Sequence, residues 1–106
     1  MTKRKILQIT GDYEEWLIHT LKNKREATAY LQVALEAYQK DGILEPFLLA
    51  LRHVAEARGG IGKLSKKVRL NRESLYKTLS SKGNPKLHTI GLLLQGLGFE
   101  FFIKAA

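Results

Sequence analysis

The chain has 106 residues, 44% of them apolar, which is the size and composition of one globular domain with a single core. It contains no cysteine, so disulfides, thiolate metal sites and thiol nucleophiles are excluded, and a reducing cytoplasm is the expected setting. The formal net charge of +8 is unevenly placed: residues 1–60 hold nine Lys or Arg against eight Asp or Glu, and residues 61–106 hold nine against two.

Met1 to Gly11 is short and basic with weak alternation, and reads either as an arm or as a short strand. The apolar stretch Ile6–Ile9 is too short for a signal peptide, and no run of about 18 apolar residues follows, so a soluble cytoplasmic protein without a membrane segment is expected. Asp12, with Glu15 three residues on, has the pattern of a capping box and predicts a first helix carrying Trp16, Leu17 and Leu21 and ending near Asn23. Ala27, Tyr30, Leu31, Ala34, Leu35 and Tyr38 recur at spacings of three and four, which predicts an amphipathic helix over 24–39, closed by Asp41-Gly42.

Pro46 suits the first turn of the next helix, where a missing N–H removes no ladder bond. Phe47, Leu48, Leu51, Val54 and Ala55 form its buried face, Arg52, Glu56 and Arg58 its wet face, and Gly59-Gly60 its end. Two short helices follow, over 61–68 and 72–80, separated by Arg69-Leu70-Asn71. Residues 81–87, with Gly83, Asn84 and Pro85, read as a loop, and 88–97 as a helix that Gly91 and Gly96 weaken. Phe99 to Ile103, rich in aromatic and β-branched residues, reads as a strand that must pair with the N-terminal arm or with its own copy in a second protomer. The expected fold is all-α with this one strand. An N-terminal arm and helical extension (1–43) would pack on a DNA-binding unit with the C-terminal strand (44–106).

Eight of the nine cations after residue 60 lie between Lys63 and Lys86, against the single acid Glu73. A concentrated cationic patch on a bend between helices is the footprint of a nucleic-acid partner. In a helix-turn-helix, the first helix crosses the DNA backbone and holds the second, whose outward residues enter the major groove. Leu64, Val68, Leu70, Leu75 and Leu79 supply the inter-helix contacts, Ser65 the small crossing residue and Asn71 the N-cap of the second helix.

Base reading is expected of Asn71, Arg72, Glu73, Ser74, Tyr76 and Lys77, with Tyr76 equally open to a phosphate or thymine-methyl contact and to a place on the rim of the core. Arg72 and Lys77 can donate to guanine O6 and N7, and Glu73 can accept from cytosine N4. Lys63, Lys66, Lys67, Arg69, Lys82, Asn84 and Lys86 are expected on phosphates, which set register and affinity without selecting sequence. Arg69 stands where such turns commonly hold glycine for positive φ, at a cost of about 1 kcal/mol.

The segment AEARGGIGKLSKKVRLNRESLYKTLSSKGNPKLHTIGLLLQGLG, from Ala55 to Gly98, resembles the probable addiction-module antidote family, small antitoxins related to the HigA type with a λ-repressor-like helix-turn-helix. Its most specific part runs from Arg72 to Lys77, then Leu79-Ser80, then Gly83-Asn84-Pro85. The resemblance implies a homodimeric antitoxin that binds double-stranded operator DNA, represses its own operon and neutralises a RelE/HigB-like toxin by direct binding. The alternative is a stand-alone phage-type transcriptional repressor with no toxin partner. Enzymatic activity is not expected. His19, His53 and His88 lack metal-ligand spacing, no serine sits in a nucleophile elbow, and no glycine loop suits a phosphate, so no metal or cofactor is predicted.

Overall fold

A computed structural model of the chain describes residues 10–106. Of the arm or strand expected over Met1–Gly11, residues 1–9 lie outside them, and Thr10 and Gly11 instead open the first helix. Six helices follow in order: α1 (Thr10–Thr20), α2 (Lys24–Asp41), α3 (Glu45–Ala57), α4 (Ile61–Val68), α5 (Arg72–Thr78) and α6 (Leu87–Gly96). The all-helical expectation therefore holds for the described residues.

The middle of the chain supplies the centre of the core. Phe47, Leu48, Ala50, Leu51, Val54 and Ala55 of α3 are all buried, and α1, α2 and α4 pack around it. Pro46 sits in the first turn of α3 as its chemistry requires. Leu17, Leu21, Ala27 and Leu31 from the first two helices join the same cluster as Leu75, Leu79, Leu93 and Leu97, so one core runs through the chain.

Local signals set most boundaries. Asn23 caps α2, its side-chain oxygen accepting from the Glu26 N–H at 3.1 Å, and Gly42 closes that helix in the left-handed region at φ 72°. Asp12 differs from its expected role. The first helix already begins at Thr10, so Asp12 lies in its first turn, where a carboxylate favours the positive helix end without capping it. Of the apolar residues that mark this helix, Leu17 and Leu21 are buried and Trp16 is 58% exposed.

The Tyr30 hydroxyl and His53 Nδ1 lie 2.9 Å apart, joining α2 to α3. Burial lowers the His53 pKa, which Glu14 at 3.9 Å partly opposes, and burial raises that of Tyr30. Both shifts favour the neutral forms, in which hydroxyl and imidazole can share this hydrogen bond.

Close approach explains a residue that the helical pattern marks only as weak. A Cβ on Gly96 would stand 2.6 Å from Val68 Cγ1 and 3.0 Å from Leu64 Cδ1, so the missing side chain lets α6 rest on α4. Arg58 then ties the two ends of the core, its Nε donating to the Leu97 carbonyl at 3.0 Å and its guanidinium lying over the Phe99 ring.

The expected strand over Phe99–Ile103 is not formed among the described residues. Residues 99–106 have no regular secondary structure, because β-propensity needs a neighbouring ladder and no described segment offers one. Phe99 is fastened through its N–H to the Leu94 carbonyl at 2.8 Å, and the chain beyond it is exposed.

Candidate nucleic-acid interface

Helices α4 and α5 meet across three residues, and each is held by its own apolar face. Ile61, Leu64 and Ser65 bury α4, and Leu75 buries α5. The Ser65 hydroxyl donates to the Gly62 carbonyl at 2.8 Å, so this polar group is satisfied at the crossing. The turn itself runs through Arg69 at φ 58°, ψ 41°, and the Leu70 N–H donates back to the Ser65 carbonyl at 3.0 Å. Asn71 then caps α5, accepting from the Ser74 N–H at 3.1 Å.

A non-glycine residue in the left-handed region costs about 1 kcal/mol. Arg69→Gly is therefore expected to raise stability by up to about 1 kcal/mol, less the extra chain entropy that glycine brings to the unfolded state. Urea unfolding measures the gain. If Arg69 meets a phosphate, the same variant binds DNA more weakly, so stability and affinity move in opposite directions.

At 100° per residue, Glu73 and Lys77 stand opposite the buried Leu75 and project furthest from the core. Ser74 lies on one flank of α5, and Arg72 and Tyr76 on the other. The Arg72 guanidinium rests over the start of α4, within about 3.6 Å of where a Gly62 Cβ would stand. Both Arg72 and Arg52 approach the Tyr76 ring, at 5.8 and 5.9 Å from its centroid. Asn71 has its carbonyl oxygen committed to the cap, which leaves only its amide N–H groups free for another partner.

The phosphate candidates divide. Lys66 shares the α5 side of α4 with Gly62, Arg69 is exposed at the turn, and Lys82, Asn84 and Lys86 are exposed on the loop after α5. Lys63 and Lys67 are exposed too, farther round α4 from Gly62. They line a separate hollow of about 280 Å³ with Lys22, Arg58, Leu64 and the Gly96–Gly98 end of α6. The charged pairs among the described residues are Arg52–Glu56 and the contact of His53 with Glu14, so the cations between Lys63 and Lys86 are unneutralised by described carboxylates.

Reading the sequence alone leaves out three residues that the fold brings in. Arg52 joins Tyr76 from α3, and Lys22 and Arg58 join Lys63 and Lys67. Arg52 and Arg58 fall on the wet face of α3 by periodicity, but nothing in the sequence says which later residues that face meets. Among the described residues, no three His, Asp or Glu side chains gather to hold a metal ion, and no helix is long and apolar enough to cross a membrane.

The regular structure of the described residues is all helical, with a cationic corner that no described carboxylate neutralises. Residues 14–105 match the family described as "Probable addiction module antidote protein", and the chain belongs to that family. An uncharacterised protein of Haemophilus influenzae is 33% identical over 84 residues, which cover 79% of this chain and 81% of that protein. No solved structure matches the chain significantly.

Proposed function

We propose that this chain is a DNA-binding antitoxin whose α4–turn–α5 unit works as a helix-turn-helix. The observation that carries the reading is the exposed face of α5, where Glu73 and Lys77 stand opposite the buried Leu75 with Lys66 and Arg69 beside them. In that arrangement α5 enters the major groove, and α4 crosses the sugar-phosphate backbone. Lys77 donates to guanine O6 or N7, and Glu73 accepts from cytosine N4. Arg72 swings from its place over Gly62 to reach either a base edge or the adjoining phosphate. Lys66, Arg69, Lys82 and Lys86 hold the backbone on either side.

A homodimer presents two such helices to a two-fold operator and so represses its own operon. Membership of the antidote family supports a toxin partner. A ribonuclease of the RelE/HigB type, held by direct contact, is the reading its resemblance suggests. The surface offered to it is the N-terminal pair of helices. Tyr13 and Trp16 are exposed there with ring centroids 5.8 Å apart, and Val33 and Tyr38 are exposed on α2. Exposed aromatic clusters of this kind are the usual anchors of protein interfaces.

Binding to a selected operator and to a scrambled duplex of equal length tests the assignment. Lys77→Ala is expected to lose about 1–3 kcal/mol on the operator and little on the scrambled duplex, whereas Lys66→Ala weakens both alike. Equal losses for both variants on both duplexes would move base reading away from α5. The toxin arm is read by co-expression with the small reading frame adjoining this gene. Rescue of growth that Trp16→Ala abolishes supports it, and a harmless neighbour rejects it.

A further inference from the structure

The C-terminal tail is an exposed apolar segment among the described residues. Phe102 is 78% exposed and Ile103 96% exposed, in a five-residue run, Phe99-Glu100-Phe101-Phe102-Ile103, with high strand propensity. Beyond Phe99 the tail's backbone groups form no hydrogen bond with one another or with other described residues. Phe101 lies over Gly91 of α6, its ring about 3.6 Å from where a Cβ would be, so the tail already rests on the helical body.

The pattern is self-complementary. When two copies run antiparallel with Phe102 opposite Phe102, Phe101 faces the other copy's Ile103, and Glu100 faces the other copy's Lys104 twice over. Alternate residues share a face of a strand, so Phe99, Phe101 and Ile103 form one apolar face, the one on which Phe101 meets α6. Glu100, Phe102 and Lys104 form the other. Shifting the register by one residue in either direction breaks both charge pairs and turns the apolar residues outward.

We propose that two copies of this chain associate through residues 99–104 as a two-stranded antiparallel ribbon, with the molecular two-fold axis passing between the two Phe102 residues. This deepens the dimer of the reading above by naming its interface and register. A free two-stranded ribbon is marginal in water. This one is supported because Phe99 packs on the core and Phe101 lies over Gly91 of α6 in each protomer. The cross-strand Glu100–Lys104 pairs then select the homotypic partner and its direction.

Charge reversal on the full chain tests it by sedimentation equilibrium. Glu100→Lys and Lys104→Glu should each weaken self-association about tenfold or more, since each places two like-charged pairs across the ribbon. They change net charge in opposite directions, so a general repulsion between basic chains would weaken one and strengthen the other. An equimolar mixture of the two variants should recover wild-type affinity as a heterodimer, and the doubly reversed chain should recover it as a homodimer. Recovery on mixing also excludes misfolding as the cause. In a chain with no native cysteine, Phe102→Cys should cross-link to its own copy under mild oxidation.

A dimer that both reversals leave unchanged, or a mixture no tighter than its components, overturns the ribbon and leaves the dimer standing on another surface. A chain that stays monomeric throughout overturns ribbon and dimer together. Binding of that monomer to a single half-site duplex still reads the DNA proposal separately. A Phe102→Cys chain that cross-links internally to a cysteine placed at Leu7 would assign the tail to the N-terminal arm and reject the proposal.

Discussion

Leu75→Ala is expected to destabilise the chain by about 2–5 kcal/mol and to abolish DNA binding well before the rest of the fold is lost. Leu75 is 1% exposed and is the only buried residue within the seven of α5. A helix of two turns has no stability of its own in water, so its place depends on the side chain that anchors it and on the cap at Asn71. Removing the anchor leaves a cavity beside Leu79 and frees α5 to fray, which takes Glu73 and Lys77 out of register with any groove. Total stabilities of such domains are about 5–15 kcal/mol, so the loss is a large share. Urea unfolding measures it, and Glu73→Ala, fully outside the core, is the control expected to stay within about 0.5 kcal/mol. A Leu75→Ala chain with unchanged stability and unchanged operator affinity would mean that α5 is held by something other than its buried face.

Operator affinity should fall about 10⁴-fold when monovalent salt rises fourfold, from about 0.05 to 0.2 M. If Lys66, Arg69, Lys82 and Lys86 each meet a phosphate, about four per protomer, each contact in a proposed dimer contributes about −0.9 to the log–log slope, for a total near −7. Titrations at four or five salt concentrations measure the slope directly. Lys66→Ala is expected to make it shallower by about 2 per dimer. Lys63→Ala and Lys67→Ala should change it less, because those two side chains turn into the hollow shared with Lys22 and Arg58. A slope near zero for the wild-type chain would remove nucleic acid as the partner of this surface.

What the chain reveals before folding is what depends on near neighbours. Asn71, Pro46 and Gly42 act within a turn of where they stand, so their roles at helix ends are legible. The stripes that bury Phe47, Leu51, Leu64 and Leu75 repeat at helical spacing and are equally legible. Asp12 misleads because its capping pattern is local but the helix starts two residues earlier. The exposure of Trp16 is not legible, because spacing gives a helix without saying whether a partner element reaches each of its apolar residues.

The concentration of cations after residue 60, and the likeness to the antidote family, are properties of the sequence itself. Which cations act together is not. Lys63 and Lys66 are three residues apart and about 60° apart around α4, yet Lys63 lines the hollow with Arg58 and Lys66 does not. Arg52 comes to Tyr76 from 24 positions away, and Lys22 comes to Lys63 from 41, through helix packing that no local pattern encodes. The sequence by itself determined most of the helices, the caps at Asn71 and Gly42, and where the positive charge concentrates. Only the tertiary structure decided which charges share a face and that Phe99–Ile103 stays unpaired within the described chain, because both depend on contacts between segments distant in sequence.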